Sequence, residues 1–496
     1  MCRLILTVLC SILIGCRADY WTERAKFIKN EEALAFGSRL TLSVAEQSVN
    51  NRLMELKWQE LADGFKNPGS FPPARHFFDA KDDITKSVIF HLIQNMPKGG
   101  ALHIHDVGLC SLDYIINDIT YRDHLYGCIE GDSIQLRFAD PPPKEACWKL
   151  LKTLRLEATS EDDFNQWLRS KMTMITDNPQ EKYPDVNAAW VKFNSIFALL
   201  FPMLSYRPAF LDNFRQTLDE FYNDNVNYME IRGVVPNLYE LDGRTYSPVQ
   251  TMGMLKQVAD EFLVDHPDFL GVKYIYAPSR KVDNATMDVY LKNFWDMKCA
   301  YPDFLVGFDL VGQEDMGLSL TSFVQKLQAE AHDVKFFFHA GESAWNGMST
   351  DMNLVDAVLL NTTRIGHGYG IVKHPGVMKE VRKRGIGVEI NPISNQVLAL
   401  VKDLRNHPAN VLFAQDYPLV VSSDDPGLWG SVGLSYDFYE AFMGLASRSA
   451  DLRMLKQLAL NSLKYSALSD EEKTLAITKW NSKWNMFLED TINEKC

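Results

Sequence analysis

Short apolar runs alternate with stretches of helical spacing along most of the chain. Eight runs stand out, at 101–105, 228–232, 272–277, 305–311, 335–339, 364–366, 387–391 and 419–423. Between most of them lie segments with helical periodicity, such as 249–265 and 318–331. Strands of four to eight apolar residues that alternate with amphipathic helices form parallel sheets whose faces the helices cover. Eight such steps predict a (β/α)8 barrel. An open, doubly wound sheet is the alternative, but no Gly-x-Gly-x-x-Gly turn follows an early strand.

The flanks of this pattern differ in texture. Residues 19–95 read as helical, with helix formers over 23–36 and apolar residues at helical spacing over 42–65 (Val44, Val49, Leu53, Leu56, Leu61). Asn67-Pro68-Gly69 and Phe71-Pro72-Pro73 break the pattern. This N-terminal segment is expected either to cap the barrel or to serve as a dimerisation arm. The barrel is assigned to 96–496, interrupted by an insertion at 111–185. That insertion holds Pro141-Pro142-Pro143 and Glu161-Asp162-Asp163 and shows no long buried strand. Insertions of this kind act as lids or binding surfaces, here for a cell-surface receptor or glycan.

Composition narrows the classes. The chain has 496 residues, 46% of them hydrophobic, enough for a large core. A formal charge of −13 argues against nucleic acid as a partner, because phosphate binding needs a basic face. Arg3, the apolar run 4–15 and Cys16-Arg17-Ala18 read as a secretory signal peptide at 1–18; lipid attachment at Cys16 is the competing reading. No later stretch has the ~18 uninterrupted apolar residues of a membrane span. A secreted chain is therefore expected. Cleavage leaves Cys110, Cys128, Cys147, Cys299 and Cys496, and Cys128–Cys147 is the expected disulfide. Asn284 and Asn361 begin sequons.

Chemistry concentrates at the ends of the runs. His103 and His105 lie two apart on a strand and point to one side, as nitrogen ligands for a zinc-type cation would. Asp309 and Gly312, His339 and Glu342, His367, Asn391, and Asp424 with Asp425 end later runs. Barrel active sites lie at the C-terminal ends of the strands.

The stretches MPKGGALHIHDVG, FLVGFDLVGQED, FFFHAGES, RIGHGYG, EINPISNQVL and VSSDDPG resemble the adenosine deaminase family, and most closely its secreted adenosine deaminase-related growth factor branch. The resemblance implies one zinc ion per chain on His103, His105, His339 and Asp424. It implies His367 as the group that orients a water and takes its proton, and Glu342 as the acid that protonates purine N1. Asp425 would meet N7, the Gly312 N–H would meet N3, and Asp106 would bind the sugar. Trp190, Phe193 and Phe197 would form an aromatic wall, and Asp309 would orient a ligand. The implied substrates are adenosine and 2′-deoxyadenosine, and a homodimer is the expected assembly. In the loop after the third run, where secreted relatives often carry histidine, this chain has Ala277-Pro278-Ser279-Arg280. A role as a growth factor acting through 111–185 is the second reading.

Overall fold

A computed structural model describes residues 19–493. The expected leader at 1–18 and Cys496 lie outside the described residues. All eight apolar runs form strands: β1 (Gly99–His105), β2 (Val226–Gly233), β3 (Gly271–Tyr276), β4 (Leu305–Phe308), β5 (His339–Ala340), β6 (Arg364–His367), β7 (Gly387–Ile390) and β8 (Leu419–Val421). They pair in parallel as β1-β2-β3-β4 and β5-β6-β7-β8. Parallel bridges Phe308–Phe336 and Ile104–Asp424 join the two sheets at both seams. The sheet closes into a (β/α)8 barrel.

The strands are almost wholly buried, which is why they read as continuous apolar runs. Their inner face is not all apolar, however. Arg232 (β2), Arg364 (β6), Glu230 (β2) and Glu389 (β7) fill part of the barrel with no exposed surface. Arg232 donates to Asp309 at 3.0 Å and to Glu389 at 2.7 Å; Arg364 donates to Glu230 at 2.6 Å and also pairs with Glu389. Each buried charge has an opposite partner, without which burial would be prohibitive.

The N-terminal segment divides into two parts. The helix Val44–Lys66 packs on the C-terminal helix Asp470–Asn493, where Trp484 donates to Glu46 at 2.8 Å. Lys57, fully buried, donates to the carbonyls of Ser447 and Ala450 at 3.0 and 2.8 Å. This part lies against the C-terminal helices that flank the barrel. The helix at 19–34 stays exposed, with Tyr20, Trp21, Phe27 and Leu34 each more than half exposed. It is anchored just past its end, where Phe36 N–H donates to Phe413 O at 2.8 Å.

The insertion, expected to show no long buried strand, holds three short, partly exposed ones. Leu125–Glu130, Ser133–Phe138 and Trp148–Leu150 form a three-stranded antiparallel sheet. Its middle strand has four consecutive buried residues, and Ser133–Phe138 alternates exposed and buried positions. Strands this short and alternating, separated by a polar turn, carry a weak pattern in sequence. Cys128 and Cys147 are disulfide-bonded across this sheet, while Cys110 and Cys299 are free. Asn284 and Asn361 are both exposed.

The helix Val186–Leu204 is the one helix among the described residues long and apolar enough to cross a membrane. Lys192 and Asn194 interrupt it, and Ala189, Trp190, Phe193, Ile196 and Leu200 are buried against the rest of the molecule.

Candidate active site

The barrel seam places the first ligands. His105 N–H donates to Asp424 O at 3.0 Å, and Asp424 N–H donates to His103 O at 3.1 Å, so β1 and the end of β8 are laddered together at the site. His103, His105, His339 and Asp424 each aim one ligand atom into a space where all four lie within 4.8 Å of one another. His103 Nε2 and His105 Nε2 are 3.4 Å apart, and Asp424 Oδ1 is 3.5 and 3.1 Å from them.

Hydrogen bonds behind the histidines set their protons. His103 Nδ1 lies 2.8 Å from Glu389 Oε2, and His339 Nδ1 lies 2.6 Å from Asp309 Oδ2. Burial would raise the pKa of Glu389, but Arg232 and Arg364 hold it well below the ordinary range. Burial opposes ionisation of Asp309 too, and His339 and Arg232 win. Both carboxylates are therefore ionised, each accepts a hydrogen bond from Nδ1–H of its histidine, and both Nε2 lone pairs face inward. A lone pair of His103 pointing at the ionised oxygen of Asp424 is repulsive unless a cation sits between them. The donor set, three imidazoles and one carboxylate with carboxylates behind two of the rings, fits a tetrahedral divalent metal with a position left for water.

His367 is different. Ala409 N–H donates to His407 Nδ1 at 3.0 Å, so the proton of neutral His407 lies on Nε2, 2.9 Å from Asn395 Oδ1. That orients the Asn395 amide so that its Nδ2 donates to His367 Nδ1 at 3.1 Å. With Nδ1 accepting, neutral His367 carries its proton on Nε2 and presents a donor to the cavity. Glu342, His367 and Asp424 also bring ligand atoms within 4.8 Å, but a protonated Nε2 makes this group a place for an oxygen rather than a second cation. His367 Nε2 stands 3.6 Å from Glu342 and 3.7 Å from Asp424 Oδ2, gaps that one bridging oxygen fills.

These groups open on one cavity of about 240 Å³, a volume suited to a small ligand. Trp190, Phe193 and Phe197 line it from one helical face, with successive ring centroids 5.1 and 4.9 Å apart. Phe201, one turn on, joins them. Asp106, Gly312 and Asp425 line it as well, and Ser279 stands where the loop histidine is absent.

Burial, then Asp424 and Glu314, raises the pKa of Glu342 well above the usual range, which favours its protonated form. Burial and neighbouring Asp424 do the same for Asp425, whose Oδ1 has no hydrogen-bond partner. Burial pushes Asp106 up to about 6 against the hydroxyl of Tyr274 at 2.5 Å and the N–H of Val107. Gly312 has φ +105°, a backbone that side chains rarely allow, leaving its N–H open to close approach. In the site, His367 (φ +59°) and Asp424 (φ +62°) are two of the non-glycine residues that hold left-handed backbone.

The residues expected in the site converge here, except those of the disulfide and sequons, which lie elsewhere. Sequence reasoning missed Glu389, Arg232, Tyr274, Asn395 and His407. Glu389 and Arg232 left a signal, as charged residues inside the apolar runs 387–391 and 228–232.

Comparison with known proteins places this geometry. The family model described as Adenosine deaminase matches residues 172–480, and Adenosine/AMP deaminase N-terminal matches 4–93. The chain is 45% identical over 482 residues to adenosine deaminase of Phlebotomus duboscqi, covering 96% of this chain and 93% of that one. It is 41% identical over 502 residues to adenosine deaminase 2 of Homo sapiens, covering 100% and 98%. A crystal structure of arabidopsis N6-mAMP deaminase superposes with TM-score 0.56 at 18% identity, covering 79% of this chain and 99% of that one, a likeness of fold.

Proposed function

This chain belongs to the adenosine deaminase family, and from that premise we propose that its barrel site hydrolyses adenosine, and 2′-deoxyadenosine, to the corresponding inosine and ammonia. The observation that carries the assignment of roles is the pairing of a protonated Glu342 with an inward-facing His103, His105, His339 and Asp424 set in one nucleoside-sized cavity.

Zinc is the cation we assign to the four ligands; bound there, it would lower the pKa of a water toward 7. The aromatic face from Trp190 to Phe201 stacks on the substrate and keeps bulk water out. Asp425, protonated, donates to purine N7, an acceptor, and the Gly312 N–H donates to N3. Glu342 gives its proton to N1 as the water oxygen adds to C6. One water proton goes to the departing amine and the other restores Glu342, so the sum is water in and ammonia out.

His367 holds the attacking oxygen through its Nε2–H. For it to take a proton there, as the motif alone suggests, the bond from Asn395 would have to reverse. Asp106, with Tyr274 fixing one oxygen, is assigned to a sugar hydroxyl.

We assign the protein to the extracellular space: the disulfide fits an oxidising compartment, and both sequon asparagines are exposed. One experiment tests location and activity together. Medium from cells expressing the full chain should convert adenosine, followed by ultraviolet absorbance, lose that activity to a chelator and regain it with zinc. Conversion confined to the cell pellet, or indifferent to metal removal, would count against the assignment. The growth-factor reading gains nothing from these relatives, which are named for deamination.

The exposed stripe of Tyr20, Trp21, Phe27 and Leu34 is an apolar surface that a second copy would cover. Sedimentation of the wild type should show a dimer, and Trp21→Asp with Phe27→Asp a monomer. A monomeric wild type refutes the assembly.

A further inference from the structure

We propose that Glu314 and Arg280 are positioning residues for the reaction, a buried pair that fixes the loop carrying Glu342 against the loop carrying Gly312. The inference rests on the assignment of Glu342 as the acid. Glu314 lies two residues past Gly312 and is 1% exposed. Its Oε1 accepts from Gly341 N–H at 3.0 Å and from Asn353 Nδ2 at 2.8 Å, and its Oε2 accepts from Glu342 N–H at 2.5 Å. Two of these donors are consecutive backbone groups at the root of the acid side chain.

The turn they cap is also held from the other side, where Gly370 N–H donates to Gly341 O at 2.7 Å. Gly341 has φ +79°, and a Cβ there would stand 2.9 Å from Leu354. The chain between His339 and the acid Glu342 thus has one position that only glycine can supply, and Glu314 takes the N–H of that glycine and of the residue after it. An ionised carboxylate accepts at both oxygens with no proton to place, which three converging N–H donors require. Burial pushes the Glu314 carboxyl upward, and Arg280 with the three donors opposes it.

Arg280 ties in the neighbouring strands. Its Nη2 donates to Leu310 O at 2.9 Å and to His339 O at 2.8 Å, and Nη1 lies 3.8 Å from Glu314. The guanidinium therefore spans the chain entering the Gly312 loop and the strand that begins with a proposed ligand. Neither Glu314 nor Arg280 lines the cavity, so both act through the groups they hold. An acid displaced by about 1 Å from its proton acceptor can lose about a hundredfold in rate.

Glu314→Gln keeps the volume but must turn its NH2 toward one of the N–H groups. It is expected to lower kcat on adenosine about tenfold to a hundredfold with metal content at the wild-type level. Combined with Glu342→Gln, it should add almost nothing, because no acid remains to be aimed. An equal fold-loss in both backgrounds, or wild-type kcat in Glu314→Gln, overturns the inference. Should that variant fail to fold, Glu314→Asp keeps the charge beside Arg280 but cannot reach both N–H groups, and wild-type kcat there overturns it equally. Full turnover in Glu342→Gln alone would instead remove the acid assignment beneath it, a result separate from any Glu314 outcome.

Discussion

Replacing Glu342 with glutamine is expected to lower kcat on adenosine by about 10²–10⁴-fold, the range a positioned general acid contributes. The amide has nearly the shape of the acid but holds no proton it can release to N1. Glu342 is not among the four groups whose ligand atoms meet at the metal position with His103, so bound metal should remain at the wild-type ratio. Loss of metal in the variant would show that Glu342 serves as a ligand, and unchanged turnover would show that N1 is protonated by another group. The same residue sets a pH dependence. Burial first, then Asp424 and Glu314, raises its pKa, so the acid form is complete below that raised value and is lost as pH climbs through it. The kcat of the wild type should hold below the raised pKa and fall as pH rises through it. A profile that instead rises into alkali would contradict a protonated Glu342.

Glu389→Gln should produce the largest loss of stability. Glu389 is fully buried and divides its two oxygens among Arg364, Arg232 and His103 Nδ1. An amide there leaves two guanidinium groups with one fewer opposing charge inside the barrel. Breaking a buried ion pair from one side costs about 3–5 kcal/mol. Losing the carboxylate behind a ligand histidine weakens metal binding by about 10–100-fold. Chemical denaturation and competition with a metal indicator measure the two separately. The folded pKa of Glu389 is depressed, so its contribution is complete above the ordinary glutamate range and lost as pH falls toward the folded value. The gap between wild type and variant should accordingly narrow in acid. A variant less than about 1 kcal/mol weaker at pH 7 would mean that the network relaxes around the amide.

These two residues mark where the sequence is legible and where it is not. Glu342 stands in a short motif at the end of an apolar run, and barrel geometry makes strand ends meet; its place is readable from local pattern. So are His103 and His105, because a strand repeats every two residues. Glu389 sits in the middle of such a run, where the period predicts an inward or outward side chain but not its partners. Those partners, Arg232 and Arg364, lie 157 and 25 residues away, and only closure of the barrel brings the three together. The orientation of His367 is less legible still, since it depends on a backbone N–H at Ala409 relayed through His407 and Asn395. The sheet within 111–185 is hidden for another reason: strands of three to six residues, half exposed, leave too short a pattern to separate from loops.

The seam between β1 and β8 has a consequence for the life history of the molecule. His103 meets Ser422, 319 positions further along the chain, and Asp424 just beyond it, so the four-residue centre does not exist until the last strand has docked beside the first. A nascent chain, or one clipped anywhere before 424, holds at most three of the four groups and cannot finish the pocket. Any cation that binds the completed set also staples the two ends of the barrel, closing a loop long enough that its entropy weighs heavily on the open form. Catalytic competence in this protein is thereby a report that folding has been completed.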